Sequence, residues 1–151
     1  MPLFSHDTKV ESLRRAPLFE NLSKHELQEL AKATEDLEVP EGKVLCREGE
    51  PAREFFVIIE GEVEVTAQGR RLTTLSDGDF FGEIALIEDI PRTATVTATS
   101  GLRFFVLTRQ SFWSLIERQP EVERKVLRAL AKRVVATWDD PTLAEPTAEG
   151  R

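Results

Sequence analysis

The spacing of apolar positions changes twice along the chain, from helical to alternating and back. Ser23-Lys24-His25-Glu26 has the spacing of a capping box, and Leu27, Leu30, Ala31 and Thr34 follow at helical intervals. A helix is predicted over about 23–35, with a turn of helix before it at 10–15. From Asp36 to Thr108 the pattern becomes short β-rich runs at 43–46, 54–59, 62–67, 71–75, 93–99 and 102–107, punctuated by Glu41-Gly42, Glu48-Gly49, Glu60-Gly61, Gln68-Gly69 and Asp77-Gly78. Val63, Val65 and Ala67 alternate with Glu62, Glu64 and Thr66, as a strand with one wet face requires. The 54–60 run is apolar on both faces and is expected to lie deeper. Many short strands with turns between them predict a barrel or sandwich. Helical spacing returns at 110–118 and again over Glu121 to Trp138, where Val122, Val126, Leu130 and Val134 share one face. The last helix is expected to pack on the β region, to cover a ligand, or to pair with a second copy of itself; the pattern allows all three.

The length of 151 residues suits one domain, placed at 10–138. Residues 1–9 are expected to be a flexible N-terminus. Residues 139–151, rich in Asp, Pro, Thr, Ala and Glu, are expected to form a disordered tail because they offer too little apolar surface to fold. No apolar run approaches the roughly 20 residues of a membrane helix, and the N-terminus lacks the basic start and apolar stretch of a secretory signal. The cytoplasm is the expected compartment, without membrane insertion. A net charge of −7 argues against a nucleic-acid partner, which needs a basic stripe to displace phosphate counterions. The single cysteine, Cys46, reads as a small buried hydrophobe. The two histidines, His6 and His25, both precede the β region, so no metal is expected inside a barrel.

One segment of the β region does not read as a strand: Asp79-Phe80-Phe81-Gly82-Glu83-Ile84-Ala85-Leu86, followed by Pro91-Arg92-Thr93-Ala94. Gly82 permits a sharp turn or a close backbone approach, and the residues after it favour one helical turn whose first amides lack intrahelical partners. Such a start favours an anion. Arg92 can bring its fork of donors to the same place. A carboxylate beside a phosphate is repelled, so Glu83 calls for a hydroxyl donor on the same ligand. A ribose 2′-hydroxyl on Glu83 and a phosphate on Arg92, a few ångströms apart, describe a cyclic nucleotide.

Phe81-Gly82-Glu83-Ile84-Ala85-Leu86 followed by Pro91-Arg92-Thr93-Ala94 resembles the phosphate-binding cassette of the cyclic-nucleotide-binding family, and the similarity extends over roughly Pro17 to Trp138. The family includes regulatory subunits of cyclic-nucleotide-dependent kinases, cyclic-nucleotide-gated channels and catabolite activator proteins. The resemblance implies a mainly β fold with flanking helices: an eight-stranded β-roll or jelly roll (double-stranded β-helix), with N-terminal helices and a C-terminal helical pair. It implies that Glu83 accepts from the ribose, Arg92 pairs with the cyclic phosphate, the amides near Ile84 and Ala85 add donors, and Gly82, Thr93 and Ala94 complete the site. It makes cAMP or cGMP the ligand, with cAMP favoured, while the hydroxyl of Thr93 leaves the base open. The base is expected on Val63, Val65, Leu72 and Phe80, with Arg133 or Trp138 as lid. The implied output is movement of the last helix, with no catalysis, read by an effector in trans or by a homodimer through that helix. Two other readings are a β-roll used only for protein contacts, against which an intact Glu83 and Arg92 count, and a cupin-like metalloenzyme, against which the scarcity of histidine counts.

Overall fold

The computed structural model describes residues 8–139. Three short helical pieces come first: α1 (Lys9–Arg15), a 3-10 turn (Pro17–Phe19) and α2 (Lys24–Ala33). Eight strands follow: β1 (Glu35–Val39), β2 (Val44–Cys46), β3 (Glu54–Glu60), β4 (Val63–Ala67), β5 (Arg70–Leu75), β6 (Phe80–Phe81), β7 (Thr95–Ala98) and β8 (Leu102–Thr108). Helix α3 (Glu83–Glu88) lies between β6 and β7, and α4 (Arg109–Arg118) and α5 (Pro120–Asp139) close the element order. The strands form two antiparallel four-stranded sheets, ordered β1-β8-β3-β6 and β2-β7-β4-β5.

In the first of these sheets, β3 and β8 are buried on both faces along most of their length. Phe55, Val57, Ile59, Phe105 and Leu107 face the helices, packing with Leu13, Phe19, Leu27, Phe112 and Val126. Phe56, Ile58, Phe104 and Val106 face the second sheet, meeting Cys46, Val63, Val96 and Ala98 between the layers. A strand covered on both sides must read as a continuous apolar run, as the 54–60 segment does. The side on which each residue falls follows from the alternation of side chains along a strand.

The predicted helix at 23–35 is shorter than expected, because Glu35 already belongs to β1. Its capping box is present, with Ser23 Oγ accepting from the Glu26 amide at 3.1 Å and the Glu26 carboxylate accepting from the Ser23 amide at 2.8 Å. Strand β1 is not among the predicted runs. Four of its five residues are exposed, so it shows no alternation, and it is held by its antiparallel register on β8 and by an ion pair. Arg103 of β8 is buried, lies over the Phe105 ring, and donates to Asp36 of β1 through Nε at 3.1 Å and Nη2 at 2.8 Å. At the N-terminal side, Thr8 caps α1, and Nζ of Lys9 donates to the carbonyls of Ala31 and Thr34. The rest of the expected flexible start, and residues 140–151 of the expected tail, lie outside the described residues.

Helix α5 is fastened at its beginning. Val122 and Val126 are buried, Nε2 of Gln119 donates to the Glu26 carboxylate at 3.1 Å, and Nζ of Lys125 donates to the Pro17 carbonyl at 2.6 Å and to Glu20 at 3.2 Å. Among the described residues, no helix is long and apolar enough to cross a membrane.

Candidate functional site

A cavity of about 510 Å³ opens between the β4–β5 hairpin, α3, the segment leading into β7, and one face of α5. Gly82 to Ala85 and Arg92 to Ala94 all line it. The cassette residues separated by up to twelve positions in sequence therefore meet at one wall. Two cations besides Arg133, namely Arg92 and Lys132, face it, against the carboxylates of Asp79 and Glu83. In a chain of net charge −7 this is a local excess of positive charge, as an anion requires.

Glu83 begins α3 and is fully buried. Its Oε2 pairs with Nη1 of Arg133 from α5, and Arg133 Nη2 donates to the Phe80 carbonyl at 2.8 Å. Its Oε1 is buried and has no hydrogen-bond partner among the described residues. A buried polar group without a partner costs about 1–3 kcal/mol, and more for a charged one. The carboxylate thus has one oxygen paired with α5 and one buried acceptor without a partner among the described residues.

Arg92 is 8% exposed and is held by main-chain oxygens: Nη1 donates to Gly82 at 3.0 Å and Nη2 to Glu54 at 2.6 Å. Its guanidinium sits over the Phe56 ring, 5.6 Å from the centroid. Two carbonyls fix the plane of the fork, and a guanidinium has five donors, so others remain for a ligand. Gly82 has φ 98°, and a Cβ there would come within 2.9 Å of Arg92 Nη1 and 3.0 Å of the Glu54 oxygen. The glycine therefore makes the turn into α3 and admits the arginine. The main chain of Arg92 is held as well, with its amide on the Glu50 carbonyl and its carbonyl on the Gly49 amide, both at 2.8 Å. Cys46 lies in the same wall, where burial pushes its thiol up to about 11 although the charge of Arg92 pulls the other way.

Of the residues expected under a base, Val65 and Leu72 line the cavity. Val63 and Phe80 do not, and this corrects their expected placement. Val63 is fully buried in the layer between the sheets. Phe80 points to the helical side, against Phe55, while its neighbour Phe81 faces the cavity. Adjacent residues of a strand take opposite faces, and β6 pairs with β3, which is buried on both, so composition gives no sign of which phenylalanine faces the ligand side. Thr73, Leu75 and Val96 also line the cavity, unforeseen, and so do Ala129 and Lys132 of α5. Ala129 lies one turn before Arg133, and residues four apart on a helix are surface neighbours, so the two share one face of α5. Arg133, one of the two lid candidates, lies at the cavity; the side chain of Trp138, the other, is outside the described part of the structure. His25 is exposed, and among the described residues no group of three or more His, Cys, Asp or Glu could hold a metal.

Comparison with known proteins identifies the arrangement. The family model described as "Cyclic nucleotide-binding domain" matches residues 36–119. The chain is 38% identical over 106 residues to a cAMP-dependent protein kinase regulatory subunit of Yarrowia lipolytica, covering 69% of this chain and 28% of that one. It is 31% identical over 132 residues to a CRP-like cAMP-activated global transcriptional regulator of Mycobacterium tuberculosis, covering 84% and 59% respectively. The chain thus spans less than two thirds of the length of these relatives. Among solved structures, cAMP-bound PfPKA-R superposes with a TM-score of 0.79 at 25% identity, over 89% of this chain and 48% of that one. The eight strands and their two sheets are the β-roll expected from the sequence.

Proposed function

This chain belongs to the cyclic nucleotide-binding domain family, and on that premise we propose that it is a non-catalytic regulatory module. It takes a cyclic nucleotide, cAMP ahead of cGMP, into the cavity and reports occupancy through α5. The observation that carries the reading is Glu83: a fully buried carboxylate with one oxygen on Arg133 and the other without a partner, in the same wall as Arg92. A ribose 2′-hydroxyl supplies the missing donor, and the cyclic phosphate meets the remaining donors of Arg92 and the first amides of α3. The names of relatives that bind or respond to cAMP favour that base. Thr93, at the cavity, offers a hydroxyl to either purine.

A ligand shifts a conformational equilibrium only through a difference in affinity between states. Ala129, Lys132 and Arg133 touch the cavity from α5, so a nucleotide meets these three residues only while the helix is docked. The module acts in the cytoplasm, as the kinase regulatory relatives suggest, and its signal passes to an effector in trans or to a second copy meeting α5. Calorimetric titration with cAMP and with cGMP, on protein shown by mass spectrometry to be free of nucleotide, tests the reading. Micromolar or tighter binding of either supports it, and no binding up to millimolar concentration removes it. Hydrogen exchange at residues 129–133 tests the output: unchanged protection on binding would remove α5 as the reporter.

A further inference from the structure

We propose that Glu48 is a positioning residue that ties the β4–β5 hairpin to the arginine wall, so that both sides of the cavity are set by one carboxylate. The inference rests on the cavity being the nucleotide site. Its basis is a chain of contacts outside the cassette. The hairpin turns through Gln68 and Gly69, both left-handed, at φ 53° and 77°. Two consecutive positive φ values define the tight two-residue turn that suits twisted strands, and glutamine is a poor choice there because a residue with a Cβ is strained at φ > 0. The Gln68 amide donates at 3.0 Å to Oε1 of Glu48, which lies in the loop between β2 and β3.

The same loop holds Arg92. The Glu48 amide donates to Oγ1 of Thr95 at 3.0 Å, the next residue, Gly49, donates its amide to the Arg92 carbonyl, and Glu50 accepts from the Arg92 amide. Residues 48–50 thus run as a splint beside Arg92 to Thr95, continuing past the end of the β2–β7 pairing at Cys46 and Val96. From this splint the side chain of Glu48 reaches across to the hairpin tip. The hairpin in turn carries Val65, Leu72 and Thr73 into the cavity. Releasing the carboxylate frees the tip to relax from its left-handed turn and moves the apolar wall away from the fixed arginine. Glu48 does not line the cavity itself, so its effect on a ligand is wholly indirect.

The test measures nucleotide affinity and the thermal midpoint of nucleotide-free protein for four variants. Loss of one exposed charge-assisted hydrogen bond predicts that Glu48→Ala raises Kd about fivefold, with faster dissociation. Glu48→Gln keeps an acceptor and is expected within about twofold of the parent on the same ground. Gln68→Asn in the Glu48→Ala background installs the residue pair that favours this turn unaided, and is expected to restore most of the affinity. Thr95→Val removes the acceptor of the Glu48 amide and is expected to weaken binding without touching the carboxylate. A purely structural role would lower the midpoint alike in Glu48→Ala and the double variant and leave Kd in place. Unchanged Kd in Glu48→Ala, or failure of Gln68→Asn to rescue, overturns the proposal while the parent still binds. A parent that binds neither nucleotide overturns instead the reading of the cavity.

Discussion

Replacing Gly82 by alanine adds one atom at the point where the arginine passes the turn. At φ 98° an alanine costs about 1–2 kcal/mol for left-handed backbone. The new Cβ also lies 2.9 Å from Nη1 of Arg92, 3.0 Å from the Glu54 oxygen and 3.3 Å from Cδ2 of Phe56. The Glu54 oxygen belongs to β3, which pairs with β8 and β6 on its two sides and does not yield, so the guanidinium gives way. A guanidinium moved off its two carbonyls presents its fork wrongly to a phosphate. Losing one hydrogen bond between charged groups, about 1.5–3 kcal/mol, corresponds to roughly a 10- to 100-fold rise in Kd. Gly42→Ala is the matched control, because Gly42 has φ 95° with nothing within 4 Å of a built Cβ. It carries the backbone strain without the collision, so it is expected to lower the thermal midpoint by about 2–8 °C and leave affinity unchanged. Calorimetry and thermal unfolding on both variants read the two effects separately. If Gly82→Ala bound nucleotide as tightly as Gly42→Ala, the idea that this glycine exists to admit Arg92 would be refuted.

Two further expectations concern the same wall. Glu83→Ala should weaken a ribose nucleotide far more than its 2′-deoxy analogue, whereas Arg92→Ala should weaken both by about 1.5–3 kcal/mol; equal losses of both ligands in Glu83→Ala would remove the carboxylate from the sugar. Cys46 supplies a pH signature. Its thiol is raised by burial to about 11, from 9.0, so its contribution to stability is fully present below pH 9 and disappears as pH rises through 11. About 2–3 kcal/mol is at stake. Denaturant unfolding of parent and Cys46→Ala protein across pH 8 to 11 should therefore converge at the alkaline end, and parallel curves would show that burial does not hold the proton.

How far the sequence reveals this molecule depends on whether local chemistry or long-range packing decides each part. The capping box of α2 is written in Ser23 and Glu26, because a hydroxyl and a carboxylate three residues apart satisfy each other's amides wherever the helix lies. The cassette is legible for a similar reason: Gly82, Glu83 and Arg92 are unusual choices for a β region, and their types and spacing can be read without knowing the packing around them. Strand β1 is illegible since its side chains are nearly all in water and its partner β8 is more than sixty residues away. The exchange of Phe80 for Phe81 turns on the register of a two-residue strand. The two oxygens that fix Arg92 are main-chain atoms of Gly82 and Glu54, which leave no trace in residue type. Arg133 reads from the sequence as a cover over the base, and its ion pair with Glu83 adds a second partner for a carboxylate that the motif assigns to the sugar alone.

The footing of α5 gives the helix a mechanical property. Gln119, Val122, Lys125 and Val126 act as a fulcrum on the helical layer, and Arg133 stands eight residues beyond Lys125, about 12 Å along the axis at 1.5 Å per residue. A tilt of about 10° about that point carries the Arg133 backbone roughly 2 Å sideways, well beyond the half-ångström range over which a hydrogen bond survives. The same tilt displaces Asp139, at the far end, by nearly 4 Å, on the order of a methyl group's width, by the same rise per residue. If α5 reports occupancy as proposed, a lever of this length delivers the largest stroke at the end of the helix farthest from its footing.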